Sequence, residues 1–322
     1  MTVGSIAIRA LRGDAVEESS SLEDLPRLFG AETPTVWVDL ASPSPAVVSA
    51  AAGHLGLHPL IVEDIVERNN RAKVEHFGGL IHVVLFALER EGETQAHEIE
   101  FVLGPRFLLT VRPPSWEPLR AHQLRAGAKE LMRRGPDAVL WALADSVVDG
   151  YFPIFDELGD TVDELQDRVL ERADPRALEE VFALKRELIV VRHAVAPARE
   201  IFNQLTSREY DLIREPQVLY FRDVYDHLIR LTDELDALRD LSASTIELYL
   251  STVNNNLGTI MKRLTGVTVV LAGIGAVAGI FGMSEANIAL AGAEGMGFWI
   301  VTAAMVVLAG LAVLFLRRIG WI

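Results

Sequence analysis

The chain has 322 residues, 50% hydrophobic and 23% charged, with 45 acidic against 30 basic residues, a net charge of −15 and no cysteine. This composition excludes a disordered or collagen-like chain, disulfides, thiolate zinc sites and cysteine nucleophiles, and the acidic balance argues against non-specific nucleic-acid binding. A mean hydropathy of +0.25 beside so much charge implies that apolar and charged residues occupy different parts of the chain.

At the start, Asp14, Glu17 and Glu18 interrupt any apolar stretch, so no secretory signal is expected. Residues 1–135 read as an α/β cytoplasmic domain. Short apolar runs at 36–40, 80–88, 99–103 and 107–111 suit strands, the last two joined by the turn signal Gly104-Pro105, with helices at 45–53 and 59–67 between them. Residues 136–216 read as helical throughout. Phe155, Leu158, Val162, Leu165 and Val169 recur at spacings of 3 and 4, and Asp174-Pro175 opens a second helix that meets Pro197, where a kink is expected.

No proline follows Pro216. Phe221, Val224, Leu228, Leu231, Leu235, Leu238 and Leu241 form nearly a heptad seam, which continues through Leu248, Val253 and Leu257. The spacing predicts one helix over 217–283, on the order of 100 Å long at about 1.5 Å per residue. Such a rod needs companions to bury its faces. The polar patch Asn254–Asn256 would suit a loop, but the flanking periodicity favours helix.

Residues 264–283 and 296–316 carry no charged side chain, and each run is long enough to cross a hydrocarbon core of about 30 Å. With the outer loop 284–295 and the tail 317–322, they read as a two-helix transmembrane hairpin. Lys262 and Arg263 precede the first span, Arg317 and Arg318 follow the second, and the loop has no base, which places both termini in the cytoplasm. Trp299 and Trp321 suit opposite interfaces. Residues 264–322 hold two acids and two bases, so residues 1–263 carry the whole net charge. Two spans cannot enclose a hydrophilic path alone; a conduit needs several copies about an axis. Glycines 266, 273, 275, 279 and 282 allow close approach of neighbouring helices.

Several segments together resemble the CorA-type divalent-cation channels. They are Phe221-Arg222-Asp223-Val224-Tyr225-Asp226-His227, Met261-Lys262-Arg263-Leu264-Thr265, Ala278-Gly279-Ile280-Phe281-Gly282-Met283 and Gly320-Trp321. Upstream, Pro59-Leu60-Ile61-Val62-Glu63-Asp64 and Arg71-Ala72-Lys73-Val74-Glu75 match the family's N-terminal landmarks. The family's Gly-Met-Asn signature reads Gly282-Met283-Ser284 here. The resemblance implies an α+β cytoplasmic domain, a very long stalk helix and a C-terminal transmembrane hairpin in a funnel-shaped homopentamer of the cell (inner) membrane. It implies transport of Mg2+ first, with Co2+ or Ni2+ accepted, and Mg2+ as a regulatory ion too.

By position, the resemblance assigns the selectivity mouth to Gly282, Met283 and Ser284, and the constriction to Met261 and Leu264. It assigns the pore lining to Glu247, Asn254, Thr268 and Gly275. An inter-subunit regulatory metal set falls on Glu63 and Asp64 facing Asp223 and His227; the last two, at i and i+4, share a helix face. Serine is shorter than asparagine and grips a hydrated ion's water shell less well, so a zinc transporter of the same architecture stays open, as does a non-conducting paralogue or membrane-anchored sensor. An enzyme is not expected. His54 and His58 lack the His-Glu-x-x-His arrangement, and there is no Gly-x-Ser-x-Gly elbow or P-loop.

Overall fold

A computed structural model describes residues 4–30, 33–68, 70–117, 122–207, 210–282 and 296–321. The chain divides into two compact units, Met1–Leu165 with Leu178–Ser244, and Gln166–Ala177 with Thr245–Ile322.

The first unit is built on a seven-stranded mixed sheet: β1 (Ser5–Arg12), β2 (Ala15–Ser19), β3 (Thr35–Ala41), β4 (Lys73–Phe77), β5 (Leu80–Glu91), β6 (Glu93–Leu103) and β7 (Phe107–Arg112). Their order is β2-β1-β3-β7-β6-β5-β4; β3 and β7 are parallel and every other pair is antiparallel. The central pair is buried along its whole length, as two strands covered on both faces must be, and the edge strands β2 and β4 are charged and half exposed. Gly92, at φ 86°, supplies the left-handed residue that turns β5 directly into β6.

Helices cover both faces. A short α1 (Leu25–Leu28) precedes α2 (Pro45–Leu55) and α3 (Pro59–Glu67), whose Val48, Ala51, Leu55, Ile61 and Ile65 form one core with Val36, Val38 and Leu40 of β3. Alternation turns Trp37 and Asp39 to the opposite face, where α4 (His122–Arg134) and α5 (Pro136–Asp149) pack. There the buried Trp37 Nε1 donates to Thr110 Oγ1 at 3.1 Å, and Arg112 Nε donates to Asp39 Oδ1 at 3.0 Å. The four expected strands and both expected helices are present, and α3 has the expected limits. Ser44 and His58 cap α2 and α3 with their side chains, each followed by proline at the first helical position. His58 is therefore a cap, stacked on Phe77 at 5.0 Å between centroids, rather than a partner of His54.

The remaining helices are α6 (Tyr151–Glu171), α7 (Pro175–Ser207), α8 (Glu215–Gly282) and α9 (Met296–Arg318). The α6 stripe from Phe155 to Val169 is buried, and α7 runs on as helix through Pro197. Arg214, one residue before α8, donates from its backbone N and Nε to the buried Asp137 Oδ2 at 3.1 and 3.0 Å. Gly135 sits under this clamp at φ 110°. That backbone angle favours glycine, and a β-carbon there would lie 2.6 Å from Arg214 Nη2, which would have to shift.

The α8 seam is buried from Phe221 through Val224, Leu228, Leu231 and Leu235 to Leu238. Leu241 departs from the expected stripe and is 41% exposed; Ser242 and Thr245 take the buried positions. Asn254–Asn256 are helical. In the second unit many apolar side chains of α8, among them Leu250, Leu257, Leu264, Leu271 and Ile280, are more than half exposed, as are Ile300, Leu308 and Leu314 of α9. Gly273, Ile274 and Val277 of α8 and Leu308, Ala309 and Ala312 of α9 line one apolar cleft of about 400 Å3.

Candidate metal sites and the face of the long helix

Among the described residues, two groups of metal-competent side chains stand in the first unit. The first joins α5 and α8, where Asp145, Asp149 and His227 offer ligand atoms within 4.8 Å of one another. Each helix contributes by i, i+4 spacing, Asp145 and Asp149 on one and Asp223 and His227 on the other, so both pairs project from single helix faces. His227 Nδ1 lies 3.9 Å from Asp149 Oδ1 and has no hydrogen-bond partner. Its ring meets Phe152 edge-on at 5.6 Å, and the Arg230 guanidinium covers that phenyl ring. Burial pushes the Asp145 carboxyl up to about 6, reinforced by the negative charges of Asp149 and Asp223 and opposed by His227. A dication beside Asp145 would relieve both its burial and the repulsion from Asp149 and Asp223.

The second group lies where α3 meets the β4 edge of the sheet. Asp64, Glu75 and His82 again bring ligand atoms within 4.8 Å. Lys73 Nζ pairs with Asp64 Oδ2 and Glu75 Oε2, each at 2.7 Å. Burial alone would lower the Lys73 ammonium, but hydrogen bonds to the two carboxylates outweigh it and hold it above its usual value. His82 is wholly buried, with Nε2 2.8 Å from Glu100 Oε2. Burial pushes the Glu100 carboxyl up, and the contact with His82 opposes that shift.

The expected regulatory residues are thus divided. Asp64 is engaged by Lys73, Glu63 is exposed on α3, and His227 faces Asp149. Among the described residues, no ion pair or hydrogen bond within the chain joins Glu63 or Asp64 to Asp223 or His227. Sequence reasoning missed Asp145 and Asp149. The signal that would have found them is their own i, i+4 spacing, repeated by Asp223 and His227 on the helix they face.

The expected pore residues all fall on α8. Glu247, Asn254, Met261, Leu264, Thr268 and Gly275 are exposed, with Met261 and Leu264 both 59% exposed. Thr268 Oγ1 donates to Leu264 O at 2.8 Å, so the hydroxyl proton is spent on the helix's own backbone and its lone pairs face outward. Of the mouth, Gly282 is the last residue of α8, and Met283 and Ser284 lie outside the described residues.

A family profile described as CorA-like Mg2+ transporter protein matches residues 33–318. The chain belongs to the CorA family. That family is one of transporters rather than enzymes. The cobalt/magnesium transport protein CorA of Thermotoga maritima is 28% identical over 312 residues, 95% of this chain and 88% of that protein. The zinc transport protein ZntB of Cronobacter sakazakii is 26% identical over 179 residues, 55% of this chain and 54% of its own. In fold, the complete structure of the CorA magnesium transporter from Methanocaldococcus jannaschii superposes with a TM-score of 0.83 at 23% identity, covering 100% of both chains. The mixed α/β domain, the very long helix and the C-terminal helix are therefore the CorA fold, as the sequence led us to expect.

Proposed function

We propose that this CorA-family chain is a homopentameric channel that moves divalent cations across the cell membrane, Mg2+ first and Co2+ or Ni2+ with it. The observation that carries this reading is the surface of α8 below Thr245. From Leu250 to Ile280 most of its large apolar side chains are exposed, and the expected pore positions recur among them at spacings of 3, 4 and 7. Apolar surface on that scale needs cover. Lipid covers the outer faces of the two charge-free runs, and neighbouring copies of α8 cover the rest, leaving one face on the axis.

In such a ring Met261 and Leu264 form an apolar constriction that shuts by excluding water, and Glu247 gathers cations at its cytoplasmic end. Gly282, Met283 and Ser284 meet the hydrated ion at the outer mouth. Both termini lie in the cytoplasm. The membrane potential drives entry with about 2.3 kcal/mol per charge per 100 mV, twice that for a dication. Cytoplasmic Mg2+ binds between subunits, with Glu63 and Asp64 of one facing Asp223 and His227 of the next, and holds the pore shut. Asp145 and Asp149 belong to the same set because they already face His227 within the chain.

The test is uptake into liposomes that hold the purified protein under an inward-negative potential. Mg2+ and Co2+ should enter, and Ser284→Asn should raise Mg2+ flux. No uptake of Mg2+, Co2+, Ni2+ or Zn2+ overturns the transport reading and leaves a non-conducting sensor. A second reading, zinc transport by the same architecture, is favoured by the shortened mouth side chain at Ser284 and the imidazole in the Asp145, Asp149 and His227 set. Competition between Zn2+ and Mg2+ flux at several pH values separates the two.

A further inference from the structure

We propose that Asp64, Glu75 and His82 form a binding site for a transition-metal dication (Zn2+, Co2+ or Ni2+) inside a single subunit, with the Lys73 ammonium holding the ion's place when no metal is bound. The inference concerns the cytoplasmic unit alone and does not rest on the transport reading.

The sheet register builds the site. Glu75 on β4 stands directly opposite His82 on β5, and Lys73 is two residues from Glu75 on the same strand face. Asp64 comes down from α3, which is seated by Ile61 and Ile65 in the core. The three ligand atoms lie within 4.8 Å of one another, a spread that small side-chain rotations close.

His82 points to a ligand independently of the acids. Its side chain is wholly buried, and Nε2 is committed to Glu100 at 2.8 Å. Nδ1 has no hydrogen-bond partner and lies 3.8 Å from Asp64 Oδ2, too far for a hydrogen bond. In the tautomer that donates the Nε2 proton to Glu100, Nδ1 presents a lone pair toward the Asp64 carboxylate. Two acceptors facing each other beside a wholly buried ring repel unless a cation lies between them. A carboxylate behind an imidazole whose other nitrogen is free is also the arrangement that orients histidine ligands and raises their basicity.

Lys73 shows that the place attracts a cation. Its ammonium bridges Asp64 and Glu75 at 2.7 Å each, and no hydrogen bond from it reaches His82 Nδ1. Two carboxylates and one ammonium leave a net charge of −1, whereas a dication in the same place brings the set to zero. The side chain of Lys73 is 28% exposed and has a route outward. One imidazole with two carboxylates suits Zn2+, Co2+ or Ni2+ better than Mg2+, which prefers an all-oxygen, mostly hydrated shell.

The test titrates the full-length protein in detergent with Co2+, followed by its ligand-field absorption, with Zn2+ as competitor. The background is Asp149→Asn, Asp223→Asn and His227→Gln, which leaves only Asp145 of the α5–α8 set. One Co2+ per subunit with a nitrogen-bearing spectrum, displaced by Zn2+ and not by equimolar Mg2+, is expected. Lys73→Met should tighten Co2+ binding at least tenfold by removing the competing charge. Glu75→Gln should weaken it at least tenfold, and Glu100→Gln about tenfold to a hundredfold through His82. Because Lys73 and Glu75 sit on an edge strand, their variants test the site without emptying the core. Loss of Co2+ binding in that background, or an affinity unmoved by both Lys73→Met and Glu75→Gln, overturns the proposal. Liposome flux is a separate readout, so failure here leaves the transport reading standing.

Discussion

The two halves of α8 use the same helical periodicity in opposite surroundings. Between Phe221 and Leu238 the seam is buried within the first unit. Between Leu250 and Ile280 equally apolar side chains stand more than half exposed within the chain. Helical spacing of leucines therefore says only that a face will be covered. What covers it depends on whether the chain itself supplies a partner. The polar residues follow the same division. Asp223 and His227 beside the buried seam meet Asp145 and Asp149, and Glu247 and Asn254 below it are exposed.

The contrast can be broken by experiment, starting where the expected effect is largest. If the first unit stands on its own contacts, Arg112→Met should cost about 3–5 kcal/mol, because Asp39 would be left buried and charged without its partner. Guanidinium unfolding of the first unit measures it, and a loss below 1 kcal/mol would show that water reaches Asp39. Leu228→Ala should cost about 2–5 kcal/mol in the same assay, since Leu228 is fully buried in the seam.

The third effect is smaller and depends on pH. An aspartate whose folded pKa is raised to about 6 keeps its proton in the folded state after the unfolded chain has lost it. Its contribution to stability therefore falls as pH rises from about 4 to about 6, and a bound dication restores it above that range. Saturating Mg2+ should raise Tm by a few degrees at pH 7.5 and by much less at pH 5. Asp145→Asn should flatten both the pH slope and the cation response, and an unchanged cation response in that variant would remove Asp145 from the set. The smallest effect is expected at Leu257→Ala. It should change the stability of the subunit fold by no more than about 0.5 kcal/mol, the level of an exposed substitution, while lowering the survival of the oligomer in native mass spectrometry. A cost equal to that at Leu228 would erase the distinction between the two halves.

Much of the fold is legible in the chain. The apolar runs around Val36, Val83, Phe101 and Leu109 became strands because a sheet covered on both faces needs near-continuous hydrophobicity. Pro59 after His58 marked the start of α3 correctly, because a capping side chain followed by proline satisfies the first turn. Strand β4 was hidden: Lys73-Val74-Glu75-His76-Phe77 has few apolar residues, and only pairing with β5 makes it a strand. Its charges are the reason the second metal-competent group went unseen.

By itself the sequence determined where apolar and charged residues are segregated, that no proline interrupts the chain from Gln217 into a charge-free run, and which family the chain resembles. Those are local or compositional properties, written in spacing and in the absence of helix breakers. Only the tertiary structure decided that Asp145 and Asp149 face His227, and that Lys73 bridges Asp64 and Glu75 beside a buried His82. Such juxtapositions depend on strand register and on which helix faces meet. Packing of the whole core fixes both, and no short stretch of chain encodes them.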